Sequence, residues 1–162
     1  MRYTVFFILP FLIIQGCLSD DGPTTACVPE TVEQQEATID NYIDQSGLTM
    51  QTTASGLRYS IDLPGTGDNA MYGDVIEIQY SGVFLDGTQF DAGTIGPPQF
   101  PTFQEGSFIA GFEEALLLLN EGSQATIVIP SALAYGCFPP IGSIIGDNEI
   151  LVFELTMVSI NP

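Results

Sequence analysis

The chain has no histidine, no tryptophan and only two basic residues, Arg2 and Arg58, against 20 aspartates and glutamates. Without an imidazole, neither a Ser/His/Asp nor a Cys/His triad can be assembled, and a zinc site would need thiolates and carboxylates alone. Without a lysine, the Gly-rich loop ending in Lys-Ser/Thr that cradles nucleotide phosphates is absent. A formal net charge of −18 over 162 residues repels nucleic acid and anionic headgroups, which excludes polyanionic partners. Among the acids, Glu113 and Glu114 are adjacent and point in different directions on a helix, so they read as a complement to its N-terminal dipole rather than a glycosidase pair. Neither a metal nor a cofactor is implied, and there are no internal repeats or low-complexity tracts.

What is present is apolar. At 45% hydrophobic residues the chain can bury a core in one domain with an appendage. The first residues, "MRYTVFFILPFLIIQG", carry one basic residue and an apolar run from Val5 to Ile14, too short to span a bilayer comfortably, which reads as a signal peptide over 1–16. The following "IIQGCLSDDG" resembles a bacterial lipoprotein cleavage site: Ile14 and Gly16 occupy the usual aliphatic and small positions, while Gln15 departs from the pattern. The resemblance implies that Cys17 is the acylated N-terminus; the alternative is an ordinary signal peptide cut elsewhere. The acidic "SDD" after it is similar to the surface-export signal of lipoproteins in the Bacteroidota; the plainer alternative is a solvated linker. An extracytoplasmic chain held to the outer membrane by lipid alone, facing the periplasm or the surface, is the location implied. With Cys17 lipidated, Cys27 and Cys137 remain as an even pair in an oxidising compartment, which predicts a disulfide; two free thiols are the alternative.

Residues 17–30 form a tether of small and polar residues with two prolines, and 31–54 a helical extension. In "TVEQQEATIDNYIDQSG", Thr31 and Gln34 make a capping box, Ile39, Tyr42 and Ile43 share a face, and Gly47 supplies the stop. So narrow an apolar stripe predicts docking on the chain's own domain. From Ser55 strands take over: "VIEIQYSGVFL", "QATIVI" and "ILVFELTMVSI" alternate apolar and polar residues. Asp86-Gly87 predicts a two-residue primed hairpin turn folding "TQFDA" back along "GVFL". One helix interrupts the strands, "GFEEALLLLNEG", whose leucine run is too apolar to face water and must be wrapped by the sheet. The fold expected for 55–162 is α+β, a curved, mostly antiparallel sheet around one short helix.

Chemistry that needs only a shaped apolar pocket and a few hydrogen bonds is compatible with this composition. Rotation about an X-Pro bond is of that kind: its barrier is amide resonance, and preferential binding of the twisted amide suffices.

The segments "VIEIQYSGVFLDGTQFDA", "FIAGFEEALLLLNEGSQATIVIPSALAYG" and "ILVFEL", in that order and spacing, resemble the FKBP-type peptidyl-prolyl cis/trans isomerases over roughly residues 55–160. Tyr-x-Gly, Asp-Gly-x-x-Phe-Asp and Ala-Tyr-Gly match jointly, where each alone would be weak. The lead-in "GLTMQTTASGLRYSIDLPGTG" is also similar to that of lipoprotein members. The resemblance implies a pocket walled by Tyr80, Phe90, Phe103, Phe108, Ile109, Tyr135, Ile144, Ile145 and Phe153, with Phe112 as floor. It further implies that the Ile109 N–H holds a substrate carbonyl, that Tyr135 offers its hydroxyl, and that Asp91 stands at the rim facing the strained amide. Phe84 reads as hairpin packing. Proline-containing polypeptides are the implied clients, and macrolide inhibitors of the family the implied small ligands.

The sequence departs from the family pattern at three places. The floor is commonly Trp and here is Phe112; "AGTIGPPQFPT" lacks the Arg that usually pairs with the rim carboxylate; and Gly146-Asp147 stands where Pro-Pro is usual. The expectation is therefore an isomerase of secreted or outer-membrane clients, with a non-catalytic chaperone or binding module on the same fold as the alternative.

Overall fold

A computed structural model of the chain describes residues 26–99 and 102–162. The expected signal peptide, the Cys17 anchor and most of the tether lie outside the described residues.

The first element is α1 (Val32–Ser46). Its start is the reciprocal cap that the sequence implies: Gln34 N–H donates to Thr31 Oγ1 at 3.4 Å, and Thr31 N–H to Gln34 Oε1 at 2.8 Å. Two of the helix's orphan donors are thereby satisfied. Gly47, at φ 66°, ends the helix in the left-handed conformation that a side chain resists.

Six strands form the main sheet: β1 (Gln51–Thr52), β2 (Arg58–Leu63), β4 (Val75–Val83), β5 (Gln89–Ile95), β7 (Gln124–Ile129) and β8 (Leu151–Asn161). They run in the order β1-β2-β7-β8-β4-β5, and every neighbouring pair is antiparallel. Two short strands, β3 (Thr66–Asn69) and β6 (Asn120–Glu121), pair separately.

Period-two alternation sorts the side chains between the faces. Ile76, Ile78, Ala125, Ile127, Ile129, Leu151, Phe153, Leu155 and Met157 join one core with Phe112, Ala115, Leu116 and Leu119 of the short helix α2 (Ala110–Leu116) and the turn after it. On the opposite face Val128 and Val152 are also buried, under Ile39 of α1, with Tyr42 and Ile43 packed alongside. The α1 stripe thus docks on its own sheet. This explains why β7 reads as a nearly continuous apolar run: it is covered on both sides.

Arg58, 5% exposed, reinforces that docking. Its guanidinium reaches Glu36 and Asp40 of α1, each at 3.4 Å, and donates to the Gly56 carbonyl at 2.9 Å. It is the single cation among the described residues, and its charge is spent on joining α1 to the edge of β2.

Two local expectations are corrected. The hairpin at Asp86-Gly87 is not a two-residue primed turn but a three-residue loop, in which Gly87 N–H donates to the Phe84 carbonyl and Phe84 N–H to the Thr88 carbonyl, both at 2.9 Å. Only Gly87 is left-handed, at φ 84°. The Asp86 carboxylate accepts the Thr88 N–H at 2.8 Å, an Asx interaction that keeps Asp86 right-handed and favours the turn-plus-bulge form. The second correction is length: α2 covers seven residues, and the leucine run leaves it at Leu117. There Leu118 N–H bonds Ala115 and Leu119 N–H bonds Leu116, a tightened last turn that delivers the chain to β6.

Candidate active site: an aromatic well beside α2

β4 and β5 bring the first components together. Tyr80 lies opposite Gly93, and Gly82 opposite Asp91. On its other side Gly82 faces Phe153 of β8. A Cβ at Gly82 would fall 2.6 Å from Phe90 Cζ and 2.8 Å from Phe153 Cε1. The glycine of Tyr-x-Gly is therefore what lets two rings close over the strand.

Those rings belong to an edge-to-face cluster. Phe90 meets Phe153 at 5.4 Å and 89°, Phe153 meets Phe112 at 5.1 Å and 78°, and Phe112 meets Tyr80 at 6.2 Å and 88°. Such geometry sets the positive ring edge against the negative ring face. Phe108 adds a wall 5.3 Å from Phe112.

Together they bound a cavity of about 610 Å³. Tyr80, Phe90, Asp91 and Ile95 form its β4–β5 side; Ser107, Phe108, Ile109 and Phe112 its α2 side; Phe153 closes the base. The loop between β7 and β8 supplies the rest: Tyr135, Pro140, Gly142, Ser143, Ile144 and Ile145. All but one of the expected pocket residues line it. Phe103 is the exception, fully buried and away from the cavity. Its backbone is bonded to a turn, with Gly73 N–H donating to the Phe103 carbonyl at 2.9 Å and Phe103 N–H to the Asp74 carbonyl at 2.7 Å. That pairing draws the ring into the core, 4.8 Å from Tyr72. Phe84 packs on Phe90 at 5.0 Å and does not line the cavity, in keeping with its reading as hairpin packing.

Ile95, Ser107, Pro140, Gly142 and Ser143 were not singled out by the sequence. They are small or aliphatic loop and strand-end residues whose approach depends on long-range packing, so no local pattern marks them.

The Asp91 carboxylate is held without an arginine. Its Oδ2 accepts the Tyr80 hydroxyl at 2.9 Å, and its Oδ1 accepts the Ala92 N–H at 2.9 Å. Burial pushes the Tyr80 phenol up to about 12, and the bond to Asp91 and its charge add to the shift. Burial also raises Tyr135, helped by the Asp91 charge. Both hydroxyls therefore remain neutral donors throughout the neutral range.

Ile109 caps α2 with an extended backbone, φ −63° and ψ 146°; its carbonyl accepts from Phe112 and Glu113. Among the described residues its N–H finds no acceptor, nor does the Tyr135 hydroxyl. Two donors therefore remain at the mouth of the cavity. Glu113 braces this entrance from within: only 7% exposed, it accepts the Phe108 N–H at 2.9 Å and the Tyr72 hydroxyl at 3.4 Å. It is a support for the α2 entry rather than a reacting acid.

Cys27 and Cys137 are joined in a disulfide, their Cα atoms 5.7 Å apart and 110 residues apart in sequence. Among the described residues no group of three or more acid or sulfur side chains is placed to hold a metal ion, and no helix is long and apolar enough to cross a membrane.

An antiparallel sheet packed over one short helix, with an aromatic well at the helix entrance and, among the described residues, two unbonded donors at its mouth, defines an α+β domain with an apolar cavity. Residues 67–158 match the profile of the FKBP-type peptidyl-prolyl cis-trans isomerases, and the chain belongs to that family. It is 39% identical over 130 residues to the probable FKBP-type peptidyl-prolyl cis-trans isomerase FkpA of Neisseria meningitidis serogroup B, covering 79% of this chain and 46% of that one. It is likewise 39% identical over 107 residues to the outer membrane protein MIP of Legionella longbeachae, covering 65% of this chain and 45% of the relative. The crystal structure of FkpA from Escherichia coli superposes with a TM-score of 0.65 at 26% identity, over 81% of this chain and 61% of that one. The chain thus spans about half the length of these two sequence relatives.

Proposed function

We propose that the protein is a peptidyl-prolyl cis/trans isomerase whose aromatic well receives the prolyl ring of a client chain. The observation that carries this is the arrangement around Phe112: an apolar floor and walls, an acid pinned by Tyr80, and two donors at the rim that have no partner among the described residues. Rotation about the X-Pro bond breaks amide resonance, a barrier of about 18–20 kcal/mol in water for an amide. The planar amide carries the larger charge separation, and an apolar well solvates it worse than water does, which favours the less polar twisted form. No nucleophile or cofactor is needed. The Ile109 N–H and the Tyr135 hydroxyl would orient the client backbone, and Asp91 at the rim would face the amide carbonyl as that group turns.

Secreted or outer-membrane proteins are the proposed clients. Lipidation at Cys17 would put residues 18–30 in the role of a tether and 55–162 in that of the isomerase domain, outside the cytoplasm on the outer membrane. The cleavage-site pattern and the disulfide, which suits an oxidising compartment, support this location. Macrolide inhibitors of the family would compete for the same cavity.

The test is the refolding of a protein whose slow phase is limited by an X-Pro bond, a process of tens of seconds without a catalyst. Substoichiometric amounts of the mature chain should accelerate that phase and leave a proline-free substrate unaffected. Suppressed aggregation of a proline-free client with no acceleration would instead make this a binding module on an isomerase fold.

A further inference from the structure

The rim loop between β7 and β8 contributes Tyr135, Ile144 and Ile145 to the cavity, yet it lacks regular structure apart from a short turn of helix, Ser131–Leu133. The loop's base is the Ile129–Leu151 pair of β7 and β8, and Cys137 within it is tied to Cys27. Beyond that base its two ends also meet α1, which precedes the segment that matches the family.

Gln35 points from α1 into the junction of the loop's two ends and is 3% exposed. Its Oε1 accepts the N–H of Ser131, where the loop begins, at 2.7 Å. Its Nε2 donates to the carbonyl of Asn148, where the loop closes, at 2.8 Å, and to Glu30 Oε2 at 3.0 Å. One amide therefore bridges residues 96 and 113 positions away. Asn148 in turn is held in the left-handed region at φ 56°, donates its own N–H to the Gly136 carbonyl next to Tyr135, and grips the N-terminal segment through Val28 and Glu30.

We infer that Gln35 is a positioning residue for the prolyl well: by clamping Ser131 to Asn148 it sets the height and angle of the loop that carries Tyr135, Ile144 and Ile145. The inference rests on the isomerase reading for its kinetic consequence but not for its structural one. An amide is the group this node requires, because one end must accept an N–H and the other must donate to a carbonyl. Glutamate can meet the first requirement but not the second, and its charge would face the Asn148 carbonyl. Alanine meets neither and leaves a buried N–H and C=O unsatisfied. The floor at Phe112 and the Tyr80–Asp91 pair lie on other elements and stay in place. Loss of the clamp should therefore weaken client capture more than the rotation step itself.

The experiment compares wild type, Gln35→Ala, Gln35→Glu and Ile39→Ala, all at a temperature where circular dichroism shows each fully folded. Ile39→Ala removes apolar packing of α1 on Val128 and Val152 while leaving the Gln35 amide and its three partners intact. Two readouts are taken: the methyl resonances of Ile144 and Ile145 in the peptide-free protein, and the kinetics on an apolar-X-Pro peptide. Gln35→Ala should shift or broaden both methyl signals and raise KM roughly five- to tenfold with kcat within about twofold. Gln35→Glu should fall between it and wild type, and Ile39→Ala should leave the methyl signals and KM near wild type. Unchanged methyl signals in Gln35→Ala would overturn the inference, as would an equal KM rise in Ile39→Ala. Absence of catalysis in wild type, with the methyl shifts still present in Gln35→Ala, would reject the isomerase reading and leave the positioning role standing.

Discussion

The Tyr80 hydroxyl donates to Asp91 Oδ2 across 2.9 Å, and this bond fixes the carboxylate at the rim of the well. A carboxylate held by a neutral phenol and its neighbour's N–H is oriented without a counter-cation, which suits a chain with almost no cations. The phenol is pushed up to about 12 from an ordinary 10.0, chiefly by burial and then by Asp91. A raised pKa means that the folded state prefers the protonated form, so the stability it contributes is fully present below pH 10 and is lost as pH rises through about 12. An ultraviolet titration of phenolate absorbance should show a late step near pH 12 that disappears in Tyr80→Phe. Turnover should not respond to tyrosine ionisation anywhere between pH 6 and 9.

Substituting Gly82 tests the packing of the well without removing an aromatic ring. An added methyl would lie within 3 Å of both Phe90 and Phe153, which also pack on one another and cannot both retreat. Gly82→Ala should destabilise the fold by roughly 1–3 kcal/mol, read from the midpoint of urea unfolding, and should weaken peptide binding in parallel.

Phe112 serves two masters, as well floor and as core residue. At 4% exposure it touches the core leucines beneath and the cavity above. Phe112→Ala should cost about 3–5 kcal/mol and abolish acceleration of X-Pro exchange. Phe112→Leu keeps most of the apolar volume but loses the ring edge against Phe153. It should remain folded by calorimetry while losing part of the activity, which separates the two roles.

The Cys27–Cys137 bridge closes a loop spanning 110 positions that contains α1, β1 to β7 and α2 and leaves β8 outside it. A cross-link over that distance constrains the unfolded chain by on the order of 4–5 kcal/mol in the loop-entropy account. Denaturant melts of the Cys27→Ser, Cys137→Ser double variant should show a midpoint shift of corresponding size, equal to that of reduced wild type.

Much of the sheet is legible in the sequence because its strands alternate cleanly: Ile76, Ile78 and Tyr80 predict one face of β4, and Ala125, Ile127 and Ile129 one face of β7, as observed. The capping box at Thr31 is equally local, and equally visible. Asp86-Gly87 marks the hairpin correctly but not its type, since the choice turns on one bond from Thr88 to the Asp86 side chain. Phe103 carries the right chemistry for a pocket wall, yet its backbone bonds to Gly73 and Asp74 place it in the core. Gln35 is the least legible. On a polar, acidic helix it reads as one more solvated residue, and its partners lie 96 and 113 positions away, beyond any local pattern.

The proposed activity is acceleration of bond rotation in the aromatic well. Its most direct test is cis/trans exchange of an apolar-X-Pro peptide, followed by two-dimensional exchange NMR with catalytic amounts of residues 18–162, disulfide intact, beside the Phe112→Leu variant. Exchange should run well above the uncatalysed rate with wild type and fall clearly with the folded variant. Peptide binding with an unchanged exchange rate, or equal rates in both proteins, would contradict that activity.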